Sequence, residues 1–522
     1  MITNLKNLKK NNRISAKVCI IGGGTVGLFL ARRLRLSKIP VTIIEAGGEK
    51  IQATKKNTYT FNNYLYEGAL INEKFILGGT STIWGGQMIP VQKSDIQNRN
   101  YIGIKSWSIN YESIAKYYSI VAKFLNFKFL KHSEIASKKK YLNFFNKDFD
   151  LRFSTFIKSK IKNFYEFFYK QIKEDKDLNI YINAKVFEIN NSEDSNCVKN
   201  VIAKSDNGNI LDINTEIVII CCGAIESTRL LLIYDKKNEN CIKKNKSPLG
   251  NFFSDQLSFV CGKFIIKDWK KFNLYFSPIY ENRLIHNPRF ELKNRFQKKN
   301  KLPSSYCHLL FVKNKKNQLD LLLKELFQKR KFRFKSIILI IILSAPEIIK
   351  NIYNLFFFRI LFRSVWFRMP KKILFSIVLE QVPNFNNKLF INNKNNFNEL
   401  VIDWNIEKKN IKYIKLISKT FKTAWIKSGL NKIAELETSI PNNIKQKKFV
   451  SSAYHPTGSI RMGSKKSNSV VDKNLKLWNV NNMYICSTAI FPSSSCSNTG
   501  FTLLALAIKL EYHLKKKINK II

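Results

Sequence analysis

A doubly wound α/β sheet, joined to a second and largely antiparallel sheet, is the fold class this sequence predicts. Three observations carry the prediction. A strand-type apolar run enters a glycine-rich turn and a helix at Lys17–Leu36. The same order of strand, glycine and helix recurs at 216–233. The stretches 261–315 and 371–404 are rich in aromatic and β-branched residues, which favour strands.

Taken in order, the first ten residues, Met1-Ile-Thr-Asn-Leu-Lys-Asn-Leu-Lys-Lys10, contain no apolar core of signal-peptide length. Residues 1–14 are therefore expected to be a flexible leader on a cytoplasmic protein. Lys17-Val-Cys-Ile-Ile21 is a short strand. Gly22, Gly24 and Gly27 then stand in the spacing G-x-G-x-x-G. The first glycine permits a tight turn, the second lets the backbone approach a pyrophosphate, and the third lets the helix pack close to the strand. Leu28–Leu36 has the apolar spacing of that helix, whose N-terminal amides would face the pyrophosphate. Val41-Thr-Ile-Ile-Glu45 is the next strand. It ends in an acid 18 positions after Gly27, where ribose hydroxyls would be accepted. Together these residues predict a bound dinucleotide.

Residues 76–90 read I-L-G-G-T-S-T-I-W-G-G-Q-M-I-P. Paired glycines let backbone approach a flat ligand, and the hydroxyls supply donors for phosphate or ring edges. A plain tight turn would leave the same pattern. A helix is expected over Trp107–Phe124. Strands at Asn179–Asn183, Lys185–Ile189 and Val198–Lys204 are expected to form a small sheet. Glu216–Cys222 reads as a buried strand running into Gly223 and a leucine-rich helix.

An unusual block follows at 328–363. Gln328–Lys335 is basic and aromatic, Ser336–Ser344 is apolar apart from its serines, Pro346 breaks the run, and Leu355–Arg363 is apolar again. Each apolar run is shorter than the ~20 residues that span a bilayer. The pattern suits a helix lying in an anionic membrane interface. It equally suits a helical cap over the second sheet. Residues 408–430 read as an amphipathic helix with Ile411, Ile414, Leu416, Ile417, Phe421 and Trp425 on or near one face.

Near the C-terminus, Ser451–Gly463 holds His455, one of only five histidines, among small and turn-forming residues. Imidazole suits proton transfer because its ordinary pKa is near neutrality. Phe491–Thr502 places Asn498 at the start of the last helix, expected over Phe501–Leu514. An asparagine there serves either as an N-cap or, beside His455, to orient a substrate oxygen.

Composition narrows the function classes. The chain has 522 residues and 45% hydrophobic residues, enough for two or three domains with buried cores. Nine scattered cysteines without a C-x-x-C argue against a zinc site or a disulfide framework and fit a reducing compartment. No metal is expected. Lys and Arg number 89 against 37 Asp and Glu, a net charge of +52. These charges are spread along the chain with no helix-turn-helix, finger or RNA-binding motif, so no specific nucleic-acid partner is expected.

Several of these segments together resemble the glucose–methanol–choline (GMC) family of FAD-dependent oxidoreductases. The resemblance runs in family order through G-G-G-T-V-G, E-A-G-G (Glu45–Gly48), G-G-T-S-T-I-W-G-G, G-A-I-E-S-T-R-L-L-L (Gly223–Leu232), L-G-N-F-F-S-D-Q (Leu249–Gln256), H-P-T-G-S-I-R-M-G and N-T-G-F-T (Asn498–Thr502). Trp84-Gly85-Gly86, Ser106-Trp107-Ser108 and Glu380–Asn384 look most like the bacterial branch of sugar and polyol dehydrogenases, some linked to cell-surface polysaccharide synthesis.

The resemblance implies FAD as cofactor. Gly22, Gly24, Gly27 and Glu45 would hold its ADP half, and Gly79, Thr80 and Ser81 would lie along the pyrophosphate and flavin. Val186 matches the strand whose backbone meets adenine, and Gly223 belongs to the second glycine turn. His455 matches the family's active-site base, and Asn498 the second active-site position. The implied reaction removes a hydroxyl proton from a sugar, polyol or glycoconjugate and passes hydride to flavin N5. The electron acceptor is unknown. Ile83 stands where some relatives carry the histidine that attaches FAD, so non-covalent FAD is expected. Thr499 replaces the usual proline, Thr228 the usual proline or serine, and Ser487 a common aspartate near the flavin.

The implied layout is a Rossmann-like FAD domain assembled from 15–100, 178–260 and 451–522. A helical connection or lid occupies 101–177. A substrate domain occupies 261–450, with the insertion at 318–368. The competing readings are a reductase fed by NAD(P)H, and a basic membrane- or nucleic-acid-associated protein retaining an inert flavin fold. A peripheral position on the cytoplasmic membrane face follows only if 328–368 lies in the interface.

Overall fold

A computed structural model of the chain describes residues 1–50, 59–71, 74–130, 132–136, 147–193, 196–312, 349, 353–366, 370–392, 399–442 and 449–519. Among these, two large sheets and one small sheet organise the molecule. The first sheet runs in the order Ile2–Asn4, Leu178–Ile182, Val41–Ile44, Asn11–Ile21, Ile210–Ile220, Val198–Lys204, Lys185–Asn191. Met483–Ile485 pairs in parallel with the far end of Ile210–Ile220. The parallel part is buried on both sides, and Val41–Ile44 is inaccessible along its whole length. Helices Thr25–Leu36, Gly223–Lys237 and Thr499–Ile518 follow or cover these strands.

The expected small sheet is the antiparallel wing of this larger one. Lys185–Asn191 and Val198–Lys204 pair antiparallel with each other, and the latter with Ile210–Ile220. Leu178–Ile182 instead sits among the parallel strands, between Val41–Ile44 and Ile2–Asn4. The flexible leader is corrected here. Residues 2–4 pair with 180–182, Leu5 is fully buried, and 11–15 continue the strand in register with 210–214. The backbone edges of those longer strands need hydrogen-bond partners, and the N-terminal residues supply them.

The second sheet is antiparallel throughout. It orders Ala434–Thr438, Gln256–Ile266, Lys372–Glu380, Ser305–Val312, Leu284–Leu292, Phe149–Phe156 and Gln87–Met88, with Ile279–Glu281 and Val450–Ser452 paired at its edges. Phe149–Phe156 falls in the stretch expected to be helical. Its apolar residues at 149, 151 and 153 alternate with polar ones, the period of a strand, and it pairs along Leu284–Leu292. One face of the sheet packs on helix Lys409–Lys427, where Phe421 stacks on Phe375 and Trp425 is fully buried. Lys388–Asn392 and Glu399–Trp404 leave this sheet and form a small one with Tyr59–Asn63.

The helix expected from Trp107 begins at Tyr111, because Asn110 caps it by accepting from the Ser113 amide. Trp107 stays in the preceding loop, where its indole donates to Ser493 Oγ. The last helix starts at Thr499 and continues to Ile518. Of the block 328–363, only 349 and 353–363 are described, and 353–362 is helical. Residues 318–348 lie outside the described residues, and no described helix is long and apolar enough to cross a membrane.

Candidate active site

The glycine turn forms as its spacing demands. Gly22 has φ +103°, and a Cβ there would lie 2.9 Å from the Cys221 carbonyl carbon and oxygen. Gly24 ends the turn as the N-cap of Thr25–Leu36. A Cβ on Gly27 would come within 1.9 Å of Gly22 O, so the helix reaches the strand only because Gly27 lacks one. Glu45 is buried, and its two carboxylate oxygens accept from the Gly23 and Gly47 amides at 2.8 and 2.7 Å.

The second glycine segment closes on the first. Gly79 has φ +49°, and its Cβ position is 2.9 Å from Gly24 Cα. Thr80 Oγ1 lies 3.1 Å from Thr25 Oγ1. Ser81 departs from the expected role. Its hydroxyl turns into the protein, donating to Gly78 O at 2.6 Å and accepting from Phe164 N at 3.1 Å, and it is 1% exposed. Ser81 therefore builds the turn from behind and contributes no side chain to the cavity.

A cavity of about 730 Å³ connects these elements. Gly22, Gly24 and Glu45 line one part, Gly79 and Thr80 another, and Val186 and Gly223 the walls beside them. His455 and Asn498 lie in the same cavity. Gly27 is not on its surface and acts through helix packing alone. Motif spacing gave no signal for Lys74, Arg229 or Tyr454, which also line it. They reach it from a helix and from loops that only the tertiary fold brings together.

His455 and Asn498 come from segments joined to different elements. The His455 amide donates to Asp255 Oδ1 at 2.8 Å, and its Nδ1 lies 3.1 Å from Gln256 Oε1. Burial, and then the nearby Arg289 guanidinium, push the imidazole down to about 4, so it is neutral at physiological pH. Asn498 occupies the N-cap position of the last helix, yet its side chain caps no amide. It is free for the site instead: Nδ2 lies 3.4 Å from His455 Nε2, and Oδ1 lies 3.5 Å from Arg289 Nη1. Arg289 is held by Glu291 and donates to Cys496 O at 3.1 Å.

The residues fit FAD. Gly22 and Gly24 leave bare backbone along the cavity, and a buried acid, Glu45, lines it where a ribose would be accepted. Ser487 also lines the cavity, and its hydroxyl is buried without a hydrogen-bond partner. Burial pushes the Glu45 carboxyl up to about 7 against the pull of its two amide donors. Ribose hydroxyls held by Glu45 would donate to its ionised form and lower that pKa, so binding would release a proton. FAD affinity is therefore expected to rise between about pH 6 and pH 8. Glu45→Gln is expected to weaken FAD about 10- to 100-fold and flatten that dependence, measured by flavin fluorescence titration.

Residues 383–507 match the family model described as GMC oxidoreductase. That match covers the C-terminal part, and the whole chain shares its fold with the solved structures that follow. Pyridoxine 4-oxidase from Mesorbium loti aligns with TM-score 0.58 and 13% identity over 95% of this chain and 99% of its own. A formate oxidase of Aspergillus oryzae RIB40, carrying a mutation studied for its effect on FAD modification, aligns with TM-score 0.57 and 13% identity over 97% and 99%. A further formate oxidase structure aligns with TM-score 0.57 and 13% identity over 99% and 100%. No curated protein matches the chain in sequence.

Proposed function

We propose that this protein oxidises a hydroxyl of a sugar, polyol or glycoconjugate to a carbonyl, with His455 as the base. The observation that supports it best is the single cavity running from the glycine turn to the His455–Asn498 pair. FAD, when bound, supplies the hydride acceptor. His455 Nε2 takes the hydroxyl proton. Asn498 Nδ2 donates to the same oxygen as negative charge develops on it, which lowers the barrier because the donor is already in place.

A polyhydroxylated substrate fits the sheet face next to this pair. Asn287, Arg289, Tyr306 and His308 share it by strand register, with the Arg289 guanidinium 4.2 Å from the Tyr306 ring centre. Asn287, Tyr306 and His308 are half-buried there. The resemblance to sugar and polyol dehydrogenases favours an acceptor other than oxygen, and a place in cell-surface polysaccharide metabolism. The similar folds named oxidases, at 13% identity, carry no acceptor across.

The deciding experiment is the visible spectrum of the purified protein before and after anaerobic addition of sugars and polyols. A flavin band bleached by one of them supports the reading and names the substrate class. Bleaching by NAD(P)H alone moves the protein to the reductases. Salt-sensitive nucleic-acid binding without any turnover moves it to the binding proteins. FAD is held without a covalent bond on this reading, since Ile83 faces the cavity where an attachment residue would stand. Acid precipitation is expected to leave all flavin in the supernatant, and flavin retained on the denatured chain refutes this.

A peripheral membrane contact is the second proposal. In helix 353–362 Phe358 is buried against Trp366 and Arg359 lies over the Tyr280 ring of the second sheet, while Phe356 and Ile360 are 64% and 69% exposed and Leu355 and Leu361 lie open beside them. Arg359 and Arg363 flank this surface, and the chain's charge of +52 suits anionic lipid. The protein is expected to sediment with anionic liposomes, and deletion of 329–363 or Ile360→Asp to release it. Equal recovery of wild type and variants in the soluble fraction refutes the contact and leaves the segment as a cap.

A further inference from the structure

We infer that Gln256 is a positioning residue that locks His455 in the tautomer carrying its proton on Nδ1, leaving the Nε2 lone pair toward Asn498 and the cavity. The inference rests on the reading of His455 as the base.

The assignment follows from hydrogen-bond chemistry approached from two sides. Gln256 is 1% exposed. One end of its amide faces two backbone carbonyls, Ser497 O at 2.7 Å and Ser494 O at 3.3 Å. Carbonyls only accept, so that end is the NH2 group, and the oxygen is the end facing His455 Nδ1 at 3.1 Å. An amide oxygen also only accepts. Nδ1 therefore carries the hydrogen.

The second side starts from Arg289, which has donors and no acceptor. Its Nη1 faces Asn498 Oδ1 at 3.5 Å, a long contact whose direction is set by charge. The Asn498 amide is thereby turned so that Nδ2 faces His455 Nε2 at 3.4 Å. A donor facing Nε2 requires a lone pair there. The carbonyls of the serine loop and the guanidinium of Arg289 thus demand the same tautomer independently.

The spacing between Gln256 and His455 is also set. The amides of both residues donate to one oxygen of Asp255, at 2.6 and 2.8 Å, and Tyr66 donates to the other at 2.6 Å. The choice of an amide at 256 has a chemical consequence. A carboxylate would hold Nδ1–H equally well, but its charge would draw a second proton onto the ring and consume the lone pair. Glutamine sets the tautomer and leaves the imidazole neutral, so the base is available without first losing a proton.

The test uses the full-length protein with 15N-labelled histidine, FAD-loaded and FAD-stripped. With only five histidines, long-range 1H–15N correlations assign each ring, and His455→Asn identifies the relevant one. Wild type is expected to show His455 as the Nδ1–H tautomer. Gln256→Met is expected to mix the tautomers and to lower the rate of substrate-driven flavin reduction about 10- to 100-fold, with KM and FAD content within about twofold. The isosteric Gln256→Glu is expected to keep the tautomer but move the acid limb of the pH–rate profile upward by about one unit or more. A merely structural role would not move that limb. An Nε2–H tautomer in wild type overturns the inference, as does a Gln256→Met protein with unchanged tautomer. If His455→Ala keeps the wild-type rate, the base reading fails, while the tautomer spectra still decide the role of Gln256.

Discussion

Replacement of His455 by alanine is expected to slow alcohol-driven flavin reduction by about 10²–10⁴-fold, the range in which a positioned base contributes. FAD content is expected to stay the same, because His455 has no part in the glycine turn. The pH profile carries the same claim. Burial and Arg289 hold the imidazole at about 4, below its ordinary 6.5. A base whose pKa is lowered is protonated only at lower pH, so the acid limb of kcat/KM is expected well below pH 6 in the free enzyme. Stopped-flow measurements of flavin bleaching from about pH 4 to pH 9 read both effects. An alanine variant within threefold of wild type would refute the base assignment.

Gly27→Ala is expected to be as damaging, by a different route. Its methyl group would sit 1.9 Å from Gly22 O, against backbone that has no rotamer to yield. Either helix Thr25–Leu36 backs away from the strand or the turn opens, and both move the helix amides from the pyrophosphate position. Forcing one methyl into a packed interior costs about 1–3 kcal/mol. Here the displaced element is the cofactor cradle itself. Purified Gly27→Ala protein is expected to carry less than a tenth of the wild-type flavin and to melt at a lower temperature. Full flavin content would mean that the turn tolerates a wider separation.

The legible parts of this protein were those whose requirements are local. Gly22, Gly24, Gly27 and Glu45 were readable because a turn, a close approach and an acid at a strand end each leave a mark at fixed spacing. The strand period was also present at 149–156, yet a stretch expected as helical hid it until Leu284–Leu292 was seen beside it. The inward turn of Ser81 is not legible in the sequence, because a hydroxyl in a glycine-rich turn looks the same whether it faces a ligand or Phe164 N, 83 residues away. The N-terminal residues looked dispensable because their partners, the edges of 178–182 and 210–214, are contributed by distant chain.

The same division holds at the site. Sequence by itself determined the dinucleotide turn, the second antiparallel sheet and the two polar side chains offered for chemistry, since residue type, period and spacing are properties of the chain. Tertiary structure alone decided which way those side chains work. Asn498 could have capped its helix, but Arg289, 209 residues earlier in the chain, takes its oxygen. His455 could have held its proton on either nitrogen, but Gln256, 199 residues earlier, selects one. Hydrogen-bond direction is set by the partner, and here the partners meet only when the two sheets close over one cavity.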